Sequence, residues 1–166
     1  MVRAATAIAT MTLGLALLAP APNANAALAL FPVSNGTFNL TLDGTDRAPT
    51  YTFRVITSNP SPYDNGGYHL TIAAPALSDG ASHTLPAGVI QSVAATCFSS
   101  CAGAPANSVP YPLTIPSGAP VTFFNAAAGT SLGNYNVIPT VRVDVPANAH
   151  AGTYTTTITT ALVAGP

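Results

Sequence analysis

The chain lacks lysine, glutamate and tryptophan, and its only formal charges come from four arginines and five aspartates among 166 residues. A nucleic-acid-binding protein needs clustered basic residues to displace the counterions of the phosphates, and these scattered arginines form no cluster. Attachment to anionic lipid through a polybasic segment is excluded for the same reason. The composition therefore indicates neither a nucleic-acid-binding protein nor a protein held to a membrane by charge.

The N-terminus has the features of a secretory signal peptide. Arg3 supplies a positive charge, residues 7–18 are apolar, and Ala24-Asn25-Ala26 matches the pattern that signal peptidase cleaves. We expect a helical signal peptide over residues 1–26, followed by a single exported domain over residues 27–166. An uncleaved anchor or a buried helix is the alternative. Nothing after residue 26 reaches the roughly 20 apolar residues that a transmembrane helix needs.

Two cysteines, Cys97 and Cys101, lie close together in the sequence. In an exported protein such a pair predicts a disulfide, with free thiols as the alternative. A zinc site would need further ligands, which no other cysteine or histidine cluster supplies. The pair therefore supports an extracellular location.

The mature chain has the period-two alternation of β-strands, and prolines and glycines interrupt it every few residues. The segments with this pattern are 36–42, 50–58, 68–72, 88–96, 109–115, 121–125, 137–145 and 152–163. Short strands of this kind predict an all-β fold, a single antiparallel β-sandwich with Greek-key-like connections or a related barrel. The long polar loops 59–67 and 99–110 are where we expect a binding surface.

Residues 79–88, residues 126–133 and the ending from Val145 onward resemble the WxL-type domain of bacterial cell-surface proteins. The closing segment, with Thr153-Tyr154-Thr155-Thr156-Thr157-Ile158, is the most specific part of this resemblance. The resemblance implies an exported β-rich module that attaches noncovalently to the peptidoglycan of Gram-positive bacteria.

Members of that family carry two Trp-x-Leu motifs, and both tryptophans are replaced here. The motif-equivalent residues are Tyr68, His69 and Leu70 after Gly67, and Thr160, Ala161 and Leu162 near the C-terminus. The resemblance implies that these positions contribute to binding.

The geometry of a strand offers two interpretations of these motif residues. Residues i and i+2 share a face, so Tyr68 lies beside Leu70 and Thr160 lies beside Leu162. We favour a buried position for the aromatic residue, because a large ring adds buried area wherever it is enclosed. An exposed ring that stacks on sugars is the alternative.

One catalytic pattern occurs in the chain. Residues 129–133 match the Gly-x-Ser-x-Gly nucleophile elbow around Ser131, and Asp144 and His150 follow in the order of an α/β-hydrolase triad. That motif requires a strand-to-helix turn, and no helical pattern follows Gly133. We therefore predict a noncatalytic protein and keep a serine hydrolase as a minor alternative.

Metal and cofactor sites are not indicated. His69, His83 and His150 are far apart in the sequence, without ligand spacing, so each is expected to be a strand or turn residue. Asp64-Asn65-Gly66 indicates a turn, and its side-chain oxygens leave a weak calcium site open. We predict no bound metal and no cofactor.

Together these features predict a secreted cell-surface module that binds peptidoglycan or another cell-wall polysaccharide. Exposed members of a set of tyrosines would stack on sugar rings. The candidates are Tyr63, Tyr68, Tyr111 and Tyr135. The alternative is a structural or adhesive subunit that binds other surface proteins through sheet edges or loops.

Overall fold

The computed structural model describes residues 5–15, 28–59 and 66–165, with the backbone alone described for residues 5–15. This part of the chain forms β-strands and no helix, so it contains no helix that could cross a membrane. In chain order the strands are β1 Ala5–Leu15, β2 Ala29–Ser34, β3 Thr37–Leu42, β4 Thr50–Thr52, β5 Arg54–Asn59, β6 Tyr68–Ala73, β7 Leu77–Ser78, β8 Thr84–Leu85, β9 Val89–Ser99, β10 Leu113–Thr114, β11 Val121–Ala126, β12 Gly133–Arg142 and β13 Thr153–Ala164.

The strands form two sheets that pack together as a β-sandwich, which confirms the predicted fold class. Sheet I has the order β11-β6-β13-β1-β3, and β7 and β8 extend it beside β13. Sheet II has the order β10-β9-β12-β5-β2, and β4 pairs with the far end of β12. Among the described strands every pairing is antiparallel except that of β1 with β13. Apart from the pairs β7–β8 and β9–β10, neighbouring strands in both sheets are not consecutive in the chain.

The core lies between the two sheets and is built from alternate residues of each strand. In β12, for example, Tyr135, Val137 and Val141 are buried, whereas Asn134 and Asn136 are partly exposed. The largest side chains with less than 2 % exposure are Tyr68, Tyr135, Tyr154, Phe53, Phe123, Phe124, Leu70, Ile72, Leu77, Ile90 and Ile158. Burial of each such side chain contributes about 1.5–3 kcal/mol.

The strand predicted over residues 109–115 is much shorter than its apolar pattern indicates. Only Leu113–Thr114 pairs, with Val89 and Ile90 of β9. Pro110 and Pro112 lack the backbone N–H that a sheet ladder requires, and the Tyr111–Pro112 peptide bond is cis. The side chains of this segment are typical of a strand, but its prolines prevent most of its backbone from pairing.

The helix predicted for the leader is wrong over residues 5–15, which form strand β1 instead. This segment alternates small or apolar residues with a threonine-rich set, a pattern that fits a strand. Its backbone hydrogen-bonds to β13 on one side and to β3 on the other, which satisfies the polar groups of three strands. The predicted cleavage site at Ala26 lies outside the described residues.

Candidate binding surface

The two motif-equivalent segments lie side by side in sheet I. Strands β6 and β13 pair in antiparallel register, with Leu70 opposite Leu162 and His69 opposite Val163. Residues far apart in the sequence thus meet on neighbouring strands. The fold thus brings together the two segments that correspond in position to the two Trp-x-Leu motifs of WxL-type domains.

Their side chains belong to the core. Tyr68 and Leu70 have no exposed surface, Thr160 is 1 % exposed and Ala161 is 8 % exposed, while Leu162 is partly buried against the core. This confirms the buried interpretation of Tyr68 and contradicts the exposed one. A ligand cannot reach Tyr68, Leu70 or Thr160 without opening the sandwich.

The Tyr68 phenol is held inside by a polar partner. Its hydroxyl lies 2.7 Å from Oγ1 of Thr57, a buried residue of sheet II, so the contact joins the two sheets. Burial raises the pKa of Tyr68 to about 12, against a smaller opposing effect of the Thr57 hydrogen bond. The phenol therefore stays protonated and acts as a structural hydrogen-bonding group.

His69 has a different role from its motif neighbours. It is half-buried, and its Nδ1 lies 3.1 Å from the carbonyl oxygen of Gly165, to which a protonated Nδ1 donates. The Gly165 N–H in turn donates to the carbonyl of Gly67. These contacts tie the end of β13 to the start of β6.

The other tyrosines proposed as contact residues are also engaged internally. Tyr135 is 1 % exposed, and its hydroxyl contacts the carbonyl oxygens of Gly103 and Leu132. Tyr111 is partly buried, and its hydroxyl donates to the Phe123 carbonyl. Of the four candidate tyrosines, Tyr68 and Tyr135 are therefore buried and cannot supply exposed stacking rings. Tyr63, like Asp64 of the calcium hypothesis, lies outside the described residues.

The residues of the hydrolase pattern do not form a catalytic arrangement. Ser131 is completely buried, and its hydroxyl accepts a hydrogen bond from Nδ2 of Asn59 at 3.0 Å. Asp144 pairs with Arg142, and His150 stacks against His83. A nucleophile elbow needs an exposed serine at a strand-to-helix turn, whereas Ser131 is buried and lies two residues before strand β12. The geometry gives Ser131 a packing role.

The exposed aromatic residues of the described chain lie on sheet II. Phe31 in β2 is 53 % exposed and Phe98 in β9 is 58 % exposed. In register, Phe31 faces Ile56 of β5, Ile56 faces Asn136 of β12, and Asn136 faces Thr96 of β9. Residues directly opposite one another share a sheet face. Because Val137 and Tyr135 point into the core, this row lies on the outer face.

Phe98 also lies on that outer face, at a β-bulge near the end of β9. The β9–β12 ladder shifts between Asn134 and Tyr135, so Phe98 is an extra residue that follows Thr96 by two positions. Asn134 donates from Nδ2 to Oγ of Ser99 at 2.7 Å, which places both side chains on the same face. We call the outer-face set the sheet II platform. Its members are Phe31, Ile56, Ser58, Thr96, Phe98, Ser99, Asn134 and Asn136.

The platform combines apolar edges with a polar centre. Three strand spacings separate β2 from β9, so Phe31 and Phe98 lie about 15 Å apart when their offset along the strands is included. Between them, the side-chain oxygens of Asn134 and Asn136 accept no hydrogen bond within the described part of the chain. Both oxygens are buried, so a ligand reaches them only if the amides reorient, and for Asn134 this breaks the hydrogen bond from Nδ2 to Ser99 Oγ. Arg54 adds a positive charge on the same strand face as Ile56.

Sequence reasoning missed both phenylalanines. Phe98 lies between the two cysteines, and Phe31 lies on a strand whose alternation was not recognised. Alternation alone separates the two faces of a strand but does not say which face is outward when both carry apolar residues. The available signal for Phe98 was a large apolar residue in a disulfide-closed turn.

The predicted disulfide between Cys97 and Cys101 is present, with the two Cα atoms 5.8 Å apart. It closes a short loop that contains Phe98 and includes the last residues of β9. Gly133, at the start of β12, contacts this loop so closely that an added Cβ would lie 2.6 Å from Cα of Cys101. The disulfide therefore fixes the backbone on both sides of an exposed platform ring.

We expect the substitutions Cys97→Ser and Cys101→Ser together to lower the free energy of unfolding by about 2 kcal/mol, because the loop they close is short. Urea denaturation measures this change. Far-ultraviolet circular dichroism should remain that of the native β-sheet, since the disulfide lies at a strand end. A double variant that is unfolded in the absence of urea would contradict this local role.

The 99–110 loop is hydrogen-bonded to the sandwich, although several of its residues, such as Ser100, Ala104 and Ser108, are exposed. In the 99–110 loop, Asn107 Oδ1 accepts the Asn125 N–H at 3.1 Å, and Asn125 Oδ1 accepts the Ser108 N–H at 2.7 Å. Most of the 59–67 loop lies outside the described residues. Within the described residues, the exposed phenylalanine rings lie on the sheet II platform and not in the 99–110 loop.

Two grooves lie at other places on the surface. One has a volume of about 480 Å³ and is lined by Asp46, Arg47 and Asp144. Two of its charges are already paired: Arg47 with Asp43, whose pKa this hydrogen bond lowers to about 2, and Asp144 with Arg142. Oδ1 of Asp46 accepts the backbone N–H of Ala147. The other, of about 490 Å³, includes His69, Ser108 and Asn125, whose polar groups also bond internally. Neither groove presents converging free polar groups.

Two of the three histidines meet in the fold, which the sequence did not indicate. The rings of His83 and His150 are parallel with centroids 4.1 Å apart, and His83 also contacts Asp79. Both lie in connecting segments between strands, as expected, but their separation in the sequence gave no indication of this contact.

No protein-family model matches the chain, and no curated protein matches it in sequence.

Proposed function

We propose that this protein is a secreted, noncatalytic β-sandwich module that attaches noncovalently to cell-wall glycan through the sheet II platform. The observation that carries the proposal is the pair of exposed rings, Phe31 and Phe98, at the two sides of an asparagine-centred sheet face. Aromatic rings stack on sugar faces, and amides and hydroxyls bond to sugar hydroxyls. The disulfide supports an oxidising, extracellular environment.

The resemblance to WxL-type domains supports the choice of peptidoglycan as the glycan. In this proposal the motif-equivalent residues stabilise the sandwich, and the sheet II platform contacts the glycan. The charge balance fits a neutral carbohydrate better than a polyanion, because Arg54 is the platform's nearest cation and lysine is absent.

Sedimentation with insoluble peptidoglycan sacculi tests this function. We expect the purified mature chain to enter the pellet and to be released by soluble wall fragments. Denatured mature chain serves as the control for nonspecific trapping. A protein that remains in the supernatant at all sacculus concentrations would contradict the proposal.

A second candidate function is a structural or adhesive subunit, and strand β1 favours it. Within the described residues β3 pairs with β1 alone, and β1 separates β3 from β13. If signal peptidase removes residues 1–26, the facing backbone edges of β13 and β3 lose this strand. An extended segment of another surface protein could then take its place by β-strand addition.

The sequence of β1 defines the chemistry that such a strand would need. Opposite the buried residues Tyr154, Thr156, Ile158 and Thr160 of β13, the register places Ala9, Met11, Leu13 and Leu15. These positions alternate with threonine, isoleucine and glycine. The site would therefore select a strand with small or flexible apolar residues at every second position, running parallel to β13.

A synthetic peptide of residues 5–15, added to the mature chain, tests the strand-acceptor hypothesis. We expect the peptide to bind and to slow hydrogen exchange of the β13 amides, whereas a scrambled peptide of equal composition should do neither. If β3 instead closes directly onto β13, the amides will be protected without peptide and no binding will be measured. That outcome would remove this second candidate.

A further inference from the structure

A cluster of Asp79, His83 and His150 lies at one end of the sandwich, away from the sheet II platform. Asp79 and His83 belong to the turn that joins β7 and β8, and His150 belongs to the segment before β13. Each residue offers one potential ligand atom, and these atoms all lie within 4.8 Å of one another. The topology of sheet I creates this juxtaposition, because β7 pairs with the start of β13.

Asp79 organises the turn and orients one imidazole. Its Oδ1 accepts the backbone N–H groups of Ala81 and His83 at 2.9 and 3.2 Å, and its Oδ2 lies 2.6 Å from Nδ1 of His83. The hydrogen bond to His83 is the main cause that lowers the pKa of Asp79. An ionised carboxylate that accepts from Nδ1–H leaves the lone pair of Nε2 available, which is the usual second-sphere arrangement of a metal-bound histidine.

His150 approaches from an anchored backbone and carries an exposed side chain. The hydroxyl of Tyr154, a core residue, donates to the carbonyl oxygen of His150 at 2.9 Å. The neighbouring Gly152 lies against the turn, since an added Cβ there would be 3.7 Å from Cβ of Asp79. The His150 ring stacks on that of His83 with an angle of 2° between the planes. The backbone of His150 is therefore held in place, while its exposed side chain is free to rotate.

We propose that this cluster binds a divalent transition-metal ion such as Cu²⁺ or Zn²⁺. His83 Nε2 and a ring nitrogen of His150 are the direct ligands, Asp79 is the positioning residue, and water completes the coordination. Imidazole nitrogen suits these ions, whereas Ca²⁺ and Mg²⁺ need several oxygen ligands. The lone pair of an imidazole nitrogen lies in the plane of its ring, so two parallel rings cannot both direct a lone pair at one ion. The exposed His150 ring therefore turns out of the stack on binding, with the two nitrogens at most about 4.2 Å apart for metal–nitrogen distances of roughly 2.0–2.1 Å.

The metal would join two separate segments of sheet I. The β7–β8 turn and the segment before β13 meet here through side chains, and a shared ion adds a direct link between them. Because the ion binds the folded arrangement, it should raise the thermal midpoint of unfolding. This role is independent of glycan binding at the platform.

Titration of untagged protein with Cu²⁺ and with Zn²⁺ tests the site, by calorimetry for affinity and by electron paramagnetic resonance for the copper ligands. We expect one ion per chain and a copper spectrum with two nitrogen ligands. The variant His150→Ala, at an exposed position, should lose one nitrogen from the spectrum and most of the affinity. Asp79→Asn should keep both nitrogens and weaken binding by about tenfold or more.

His69→Ala is the matched control, because His69 lies outside the cluster and should leave affinity and spectrum unchanged. Circular dichroism establishes that each variant is folded, and His150→Gln provides a second exposed substitution that removes the ligand. Equal affinity in wild type, His150→Ala and His150→Gln would overturn the proposal. So would a copper spectrum that changes with His69 instead of with His150.

Discussion

Replacement of both Phe31 and Phe98 by alanine is expected to weaken binding to peptidoglycan sacculi by about 1,000-fold. Truncation of one well-placed aromatic contact costs about 2 kcal/mol. The two rings lie about 15 Å apart by strand spacing, so their effects should add. The combined loss of about 4 kcal/mol corresponds to that change in the dissociation constant. Binding isotherms from sedimentation measure it.

Three controls separate ring contact from loss of structure in this experiment. Both phenylalanines are more than half exposed, so the double variant should unfold at nearly the wild-type urea concentration. Phe31→Tyr and Phe98→Tyr keep the rings and should keep most of the affinity. Val163→Ala removes an exposed apolar side chain from sheet I and should have no effect. Unchanged binding by the double alanine variant would exclude the platform as the contact surface.

The largest effect on stability is expected from Tyr68→Ala, which should lower the free energy of unfolding by about 4 kcal/mol. The substitution leaves a cavity between the sheets and removes the hydroxyl that contacts Thr57. Single domains usually have total stabilities of roughly 5–15 kcal/mol, so we expect the variant to unfold at a much lower urea concentration than the wild type. Urea denaturation followed by circular dichroism measures the loss.

Milder substitutions at the same position separate structure from binding. Tyr68→Phe removes only the hydroxyl and should cost about 1 kcal/mol. Tyr68→Leu removes the ring but fills part of the space, so its folded fraction should bind sacculi as wild type does. Weak binding by fully folded Tyr68→Leu would instead assign the motif-equivalent aromatic position to the ligand.

The alternation of apolar and polar residues was sufficient to predict the sandwich and the inward side of β6. Tyr68, Leu70 and Ile72 share one face in any regular strand, and that face is buried. The close spacing of Cys97 and Cys101 likewise predicted the disulfide from chemistry alone. These features depend on neighbours in the sequence, which is why local patterns captured them.

Features that depend on strand order could not be predicted in the same way. The platform exists because β2, β5, β12 and β9 are adjacent in sheet II, an order that local periodicity does not encode. The meeting of His83 with His150 depends on the pairing of β7 with β13. The pairing of β1 was missed because its apolar content matched a signal peptide, although its alternation also matched a strand.

The location of the glycan contact is tested most directly by backbone amide chemical shifts of the isotope-labelled mature chain during titration with a soluble peptidoglycan fragment. The proposed function predicts shifts concentrated on the outer face of sheet II, at Phe31, Ile56, Asn136 and Phe98. Shifts concentrated instead on β6 and the end of β13, around Tyr68 and Leu162, would contradict it.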